Sequence, residues 1–463
     1  MKKKAARQLR RLTKGQRAAF RYALSVNHPM LFAEPRTGKC LVTIRTIKTY
    51  KPINPAQGML VLIVSPVSAI GDWIAELHQE NETCINVLTG DSNTRKNLLN
   101  EKKKWNIINH EGYISLLEIG DTNWDVVVLD ESVVVKNPKA QITRFFLRNF
   151  KKCIHRFILS GLPDPNHILD LFCQILFARG QAFGFENYWH FRAEMFEQPW
   201  RFAKFKPKIG TMSVIRNYLA KQAFFLLQKD GGINIERKYR PMEITLPDEV
   251  QTIYNKIETE FAYEINGKEE STSHGLKKYL WLRQLTGGFL NKKFIHPAKI
   301  NVIIDLLKDE YRKKPVVIWF AFNNELFKVF KTLRKHKIKA RTYTGAIKKF
   351  SERKAITNAF DSGKFDVLCA QGAIGQYSIN LSRANTAIFY SNTASQTIRK
   401  QCEERIIHMK KICPVVYIDL IVPNTVDSDI VELVRQKRKN TEGTFISQIK
   451  LQVLKRRIQN AGK

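Results

Sequence analysis

The sequence predicts an α/β protein in which two parallel-sheet units flank a helical segment rich in aromatic and basic residues. Three observations carry this reading. From about Gly15 to Gly161, apolar strand-like runs alternate with amphipathic helical stretches, the pattern of a parallel sheet covered by helices. The same alternation restarts near Lys299. Between the two, from about Pro163 to Pro297, the chain turns aromatic, basic and helical, as in ILDLFCQILFARGQAFGFENYWHFRAEMF. At 463 residues and 44% hydrophobic content the chain is long enough for about two to four domains with sizeable cores. The expected divisions are 1–162, 163–297, 298–440 and a basic tail at 441–463. No internal repeat and no low-complexity linker interrupts this order.

In the first unit, the apolar stretch Pro29–Phe32 reads as a short buried strand and LVTIRTI as an amphipathic helix, with AEPRTGKC (Ala33–Cys40) between them. A strand, a tight loop and a helix form a phosphate cradle: backbone N–H groups and the helix N-terminus face the anion, and a lysine reaches the outer phosphates. Lys39, preceded by Thr37 and Gly38, is placed to be that lysine. The runs MLVLIVSP, WDVVVLDES and HRFILSG supply further strands. In VVVLDES, three β-branched residues and a leucine carry Asp130 and Glu131 to the C-terminal end of a strand. There Asp130 is a candidate holder of Mg²⁺ and Glu131 a candidate to polarise an attacking water. Order and spacing together point to a nucleoside triphosphatase using Mg²⁺.

The middle segment interleaves Phe, Tyr and Trp with Lys and Arg; most of these aromatics are expected in a core and a minority free to stack on bases. The second unit offers PVVIWFAF, ARTYTG, FDVLCAQ, TAIFYSN and PVVYIDLIV as strands, with helical stretches such as ELFKVFKTLRK between them. Two such units predict two lobes facing a cleft.

Charge narrows the partner. The chain carries 77 basic against 42 acidic residues, a formal net charge of +35, which predicts an electrostatic footprint for a polyanion. Nucleic acid is the default. An anionic membrane competes, but no run of about 18 apolar residues spans a bilayer, and no secretory apolar region follows MKKKAARQLRR. That N-terminal run and the late KLQVLKRR read either as polyanion contacts or as solvated charge. Seven scattered cysteines without a CxxC pair support neither a zinc site nor a disulfide framework, and suit a reducing intracellular setting.

The order of motifs across nearly the whole chain, Leu12 to about Lys439, resembles superfamily 2 helicases of the Swi/Snf type, including members in phage and viral genomes. LTKGQRAAF is similar to the adenine-reading segment, with Gln16 as the base contact. Arg36, Thr37, Gly38, Lys39 and Cys40 fall in the phosphate loop. IVSPVSAIGDWIAEL resembles the motif bearing a DNA-contacting loop, with Ser68 and Trp73. VLDESVVVKNPKAQ resembles the DEAH-type box, and LSGLPDPN the SGTP segment that couples hydrolysis to movement through Ser160. In the second lobe, YTGAIKKFSERKAITNAF and GQYSINLSRANTAIFYSN resemble family motifs that bring Gly375 to the nucleotide and Ser382 to DNA. QCEERIIHMKK resembles the QxxxRxxR box, whose arginines reach the γ-phosphate; Arg405 and His408 occupy those positions.

The resemblance implies two RecA-like parallel-sheet lobes with an ATP cleft between them and a helical insertion. It implies an ATP-driven translocase on duplex, forked or branched DNA, with fork remodelling, branch migration, recombination or replication as its setting. A cytoplasmic location follows, the host's if the chain is phage-encoded. An arginine arriving from the opposite lobe makes cleft closure a condition of catalysis. Four departures point to slow or conditional turnover. Cys40 replaces a hydroxyl that binds Mg²⁺, and a thiol is a poor ligand for so hard an ion. Ser132 and Val133 replace Ala-His, Ser378 replaces glycine, and His408 replaces the second arginine. An ATP-gated DNA-binding protein with little hydrolysis, and an RNA helicase, stand as alternatives. Protein partners are not legible.

Overall fold

The computed structural model describes residues 9–442 except 113–121, 162–166, 201–202, 204, 261, 266–267, 272–274, 348–349, 377–378 and 409–410. The N-terminal run up to residue 8, the LPDPN end of the SGTP-like segment, Ser378 and nearly all of the expected basic tail lie outside those residues. The described residues divide into two compact units, the first ending at Ile233 and the second beginning at Asn234.

The first unit contains helices α1 (Lys14–Leu24), α2 (Lys39–Ile47), α3 (Ile70–Gln79), α4 (Ser92–Asn100), α5 (Gln141–Asn149), α6 (Asp170–Arg179), α7 (Tyr188–Met195) and α8 (Thr211–Gln222). Its strands are β1 (Met30–Ala33), β2 (Val61–Ser65), β3 (Ile85–Val87), β4 (Trp105–Asn109), β5 (Val126–Asp130), β6 (His155–Ser160), the short pair β7 (Phe196–Glu197) and β8 (Lys206–Pro207), and β9 (Phe224–Leu226). Seven of these form one sheet in the order β3-β4-β2-β5-β6-β1-β9, parallel throughout. Its central strands are unbroken apolar runs because both faces are covered. Leu62, Val64, Val127 and Leu129 enter one core and Val61, Ile63, Val126 and Val128 the other, as the two-residue period of a strand requires. Each such side chain contributes roughly 1.5–3 kcal/mol on burial.

The second unit has strands β10 (Arg237–Glu243), the hairpins β11 (Ala262–Ile265) with β12 (Lys268–Ser271) and β13 (Phe289–Leu290) with β14 (Lys293–Phe294), then β15 (Val316–Phe320), β16 (Ala340–Tyr343), β17 (Val367–Gln371), β18 (Thr386–Phe389) and β19 (Val415–Ile421). Helices α9 (Asp248–Glu260), α10 (Gly275–Thr286), α11 (Ala298–Lys308), α12 (Asn323–Lys335), α13 (Phe350–Asp361), α14 (Gln396–Glu404) and α15 (Val426–Glu442) surround a six-stranded parallel sheet of order β10-β19-β18-β15-β17-β16. Val316, Ile318 and Phe320 face one core, Val317 and Trp319 the other.

The two parallel-sheet units agree with the predicted fold class, but the divisions expected at 163 and 298 do not coincide with the one found. Residues 170–226 belong to the first unit: Phe172, Phe177, Phe191 and Leu219 enter its core, and β9 pairs in parallel with β1. Residues 237–290 belong to the second, where β10 extends the sheet beside β19, and Tyr254, Trp281 and Leu285 pack with Val422 and Val426. The aromatic middle segment is therefore core of two units and not an insertion with its own.

One buried acid gives the second unit a pH dependence. Glu325, on the first turn of α12, is fully buried; its Oε2 accepts from Ser391 Oγ at 2.5 Å, while Oε1 has no hydrogen-bond partner among the described residues. Burial pushes this carboxyl up from 4.5 to about 8. The folded unit then keeps a proton that the unfolded chain releases, so this stabilisation is complete below pH 4.5 and fades as pH rises to about 8. Glu325→Gln keeps the bond from Ser391 without the ionisable group. It is expected to match the parent in thermal melts at pH 5 and to exceed it at pH 8.5 by roughly 3–6 °C. Melting curves that stay parallel across that range would reject the buried proton.

Candidate nucleotide-binding site

The site is built at the carboxyl ends of β1 and β5, which flank β6 in the sheet. In open parallel sheets this edge is where loops leave room for ligands. After Ala33 the chain turns through Glu34, Pro35, Arg36 and Thr37, with Arg36 at φ 67°, and reaches Gly38 at φ 85°, which opens α2. A Cβ on Gly38 would stand 2.4 Å from Gln16 Nε2, so both the left-handed backbone and the close approach require glycine there. Gln16 itself is buried. Its Nε2 donates to Thr37 O at 2.8 Å, and its Oε1 accepts from Thr13 N at 3.0 Å within the capping box of α1. Expected as a base contact, Gln16 is here a clamp on the loop. Thr37, also buried, donates from Oγ1 to Glu34 O at 2.7 Å.

Lys39 projects from the first turn of α2 to both carboxylates of the second segment. Its Nζ lies 3.1 Å from Asp130 Oδ1 and 2.7 Å from Glu131 Oε1. Burial alone would lower its pKa, but the adjoining charges of Asp130 and Glu131 outweigh it and hold the ammonium firmly protonated. Asp130 is 2% exposed and has further partners: Trp73 Nε1 donates to its Oδ2 at 3.0 Å, and the Glu131 N–H to its Oδ1 at 3.0 Å. Glu131 has φ 50°, a left-handed turn straight after the strand. His110 Nε2 donates to the Asp130 carbonyl at 2.8 Å, and burial lowers the pKa of the ring, keeping it neutral.

Trp73 was expected to face DNA; it is instead fully buried, because its indole packs in the core beneath β2 and β5 and its N–H is committed to Asp130. Ser160 is likewise fully buried, at the end of β6. Ser68 is half-buried in the turn after β2. Ser132, where relatives of the resembled family carry alanine, donates to Gln174 Oε1 at 2.7 Å and ties the acidic segment to α6. The Cys40 thiol is pushed well up by burial and by the nearby Asp130, and packs against the apolar cluster under α2 as a small hydrophobe. A protonated, half-buried thiol does not fit a hard divalent cation.

The residues predicted on the second unit are brought together among themselves. Arg405 caps α14, and its carbonyl accepts from Leu381 N at 3.0 Å. Ser382 and His408 line one open cavity of about 320 Å³ with Asn385, Lys411, Ile412 and Cys413. Burial lowers the Lys411 ammonium to about 8, and it donates to Ile406 O at 2.8 Å. Gly375 lies in the short helix Gly372–Gln376. Missed in the sequence were the positioning roles of Trp73 and His110, and Gln228. Only Gln228 left a trace: it follows the FFLL run and precedes Gly231-Gly232, a turn signal.

Chemically, the loop, the open N-terminus of the nine-residue α2 and Lys39 suit a polyphosphate. No group of three or more His, Cys, Asp or Glu capable of holding a metal occurs among the described residues. Asp130 and Glu131, now neutralised by Lys39, fit a divalent cation that shares its coordination with phosphate oxygens and water. No helix among the described residues is long and apolar enough to cross a membrane.

Residues 10–286 match the SNF2-related domain family, and residues 298–410 match the helicase conserved C-terminal domain family. The helicase-like transcription factor of Homo sapiens is 26% identical over 213 residues, 43% of this chain and 20% of that protein. DNA excision repair protein ERCC-6 of Mus musculus is 22% identical over 411 residues, 80% of this chain and 27% of that protein. The chain thus spans a minor part of the length of these relatives. Among solved structures, the Pyrococcus furiosus Hef helicase domain aligns with a TM-score of 0.52 at 13% identity, covering 91% of this chain and 97% of that one. The Sulfolobus solfataricus SWI2/SNF2 ATPase core in complex with dsDNA aligns with a TM-score of 0.45 at 18% identity, covering 93% and 92%.

Proposed function

This chain belongs to the SNF2-related family, with a helicase C-terminal domain after it, and on that premise we propose that it is an ATP-hydrolysing translocase acting on duplex, forked or branched DNA. The observation that carries the proposal is the joining of Lys39, Asp130 and Glu131 beside a phosphate-cradling loop. In this reading Thr37, Gly38 and the α2 N-terminus hold the phosphates and Lys39 reaches the outer ones. Asp130 would hold Mg²⁺, which would supply charge neutralisation on the phosphates. Glu131 positions the attacking water. Arg405, from the second unit, stabilises charge on the transferred phosphoryl group, and His408 takes a weaker neighbouring role. Phosphate contacts dominate the DNA interaction, as a net charge of +35 favours, so sequence preference is slight. The relatives named for repair and transcription support DNA as the polymer.

The test is steady-state ATP hydrolysis without nucleic acid and with linear duplex, single strands, a four-way junction and duplex RNA, alongside Lys39→Ala. Stimulation by junction or fork above linear duplex supports the branched-DNA reading; preference for duplex RNA replaces it with an RNA helicase. The half-buried, protonated Cys40 favours one competing reading, a DNA binder gated by ATP with little turnover. In that case hydrolysis stays at the Lys39→Ala level on every substrate, while ATP still changes DNA affinity.

Trp73 gives a second handle on the same site. Trp73→Phe keeps most of the core volume and deletes the N–H that fixes Asp130 Oδ2. Loss of one hydrogen bond to a buried carboxylate costs about 1.5–3 kcal/mol, so kcat is expected to fall roughly tenfold or more. A kcat within twofold of the parent would show that Asp130 is held without Trp73.

A further inference from the structure

The last turn of the first unit is fastened to the phosphate loop, as Gln16 is. At the end of β9, Glu34 N donates to Leu226 O at 2.9 Å, continuing the pairing of β1 and β9 into the loop. Gln228 then bonds the loop twice: its backbone N–H donates to Glu34 Oε2 at 2.8 Å, and its Nε2 to Pro35 O at 3.1 Å. The turn closes on itself through Gly231 N to Leu227 O at 3.0 Å and Ile233 N to Gln228 O at 2.8 Å. It lies so near the loop that a Cβ on Gly231 would stand 3.4 Å from Thr37 Cα. The same turn touches α1: Gly15 N donates to Asp230 O at 3.3 Å, and a Cβ on Gly15 would come within 2.5 Å of that oxygen. Gln16, the next residue, holds Thr37 O.

The phosphate loop is thus held by both Gln16 and Gln228, and the chain runs on from Gln228 into Asn234, the first residue of the second unit. We propose that residues 227–232 are a strap, with Gln228 as its positioning residue, that couples nucleotide binding in the phosphate loop to the segment leading into the second unit. The inference rests on the ATPase reading above. Two backbone carbonyls of the loop, those of Pro35 and Thr37, are bound by side-chain amides, and the Glu34 carboxylate is bound by a main-chain N–H of the strap. A shift of the loop as it closes on phosphates moves these partners together. Tension in the strap moves the loop in return, since coupling between sites is reciprocal.

The full chain tests this with Gln228→Ala, and with Gln228→Met, which keeps the side-chain length and apolar stem without the amide donor. Hydrogen exchange is followed in the peptide spanning 224–240, with and without the non-hydrolysable analogue AMP-PNP, and ATP kinetics are measured with and without duplex DNA. In the parent, AMP-PNP is expected to slow exchange across 227–237. In either variant that protection is lost, the KM for ATP rises about fivefold, and stimulation by DNA falls by at least about threefold. Lys39→Ala separates the two claims. If it hydrolyses ATP as fast as the parent, the ATPase reading fails. If it is inactive while the Gln228 variants keep parental protection, KM and stimulation, the strap is overturned alone. Should Gln228→Ala fail to fold, Gln228→Met decides by the same readouts.

Discussion

Lys39→Ala is expected to lower DNA-stimulated ATP hydrolysis by at least about a hundredfold, the scale of losing a fixed positive charge at a phosphoryl-transfer centre. The geometry predicts a second consequence. Lys39 is the counter-charge of Asp130 and Glu131, at 3.1 and 2.7 Å, and Asp130 is nearly fully buried. Removing the ammonium leaves that carboxylate with its bonds from Trp73 and the Glu131 N–H but without a cation. Thermal stability without nucleotide should therefore fall by about 1–3 kcal/mol. Mg²⁺ added alone should restore part of it in Lys39→Ala and little in the parent, where the ammonium already neutralises the pair. Residual hydrolysis within threefold of the parent would remove Lys39 from the chemistry.

What the sequence made legible was local. The phosphate loop and the acidic pair each occupy one continuous segment in which residue type and order state the chemistry, and the central strands are apolar runs that bury both faces. What it hid was contact at long separation. Trp73 meets Asp130 across 57 positions and Gln228 meets Glu34 across 194, and neither pair has a spacing that marks it. The break between the two compact units at Ile233 is faint in the sequence for a related reason. The chain leaves the first sheet by β9, three residues long, and enters the second by β10, RKYRPME, whose charges and proline speak against a central strand. Both are edge strands, and an edge tolerates proline and charge that a central strand excludes. The aromatic helices between Pro163 and Pro297 then read as an independent insertion because they pack partly on one another, as Phe172 does on Phe191, while contacts such as Phe177 with Phe146 and Phe150 reach outside that span unmarked.

Arg399→Leu is expected to destabilise the second unit by about 3–5 kcal/mol, the range for stranding a buried charge. Arg399, on α14, is 5% exposed. Its Nε bonds Glu403 Oε1 at 2.7 Å, its Nη1 bonds Asp419 Oδ1 and Asn392 Oδ1, and its Nη2 lies 3.3 Å from Asp419 Oδ2. The guanidinium also rests over the Phe389 ring, 3.4 Å from its centroid. Burial opposes the charge, but Asp419 and Glu403 more than offset it, so the cation is held. These contacts join α14 to β18 and β19, and Tyr239 on β10 adds a bond from its hydroxyl to Glu403 Oε2 at 3.0 Å. Leucine in this place leaves Asp419 and Glu403, both buried, without their cation. A chemical denaturation series on Arg399→Leu, and on the same change with Glu403→Gln and Asp419→Asn, separates the sources. If the loss arises from stranded carboxylates, the triple variant recovers most of it; if it arises from lost packing on Phe389, the triple variant recovers nothing. Because Arg405 follows α14 directly, recovery of stability should restore the order of that segment. ATP hydrolysis across the series should then track the folded fraction of the second unit and not the charge at position 399.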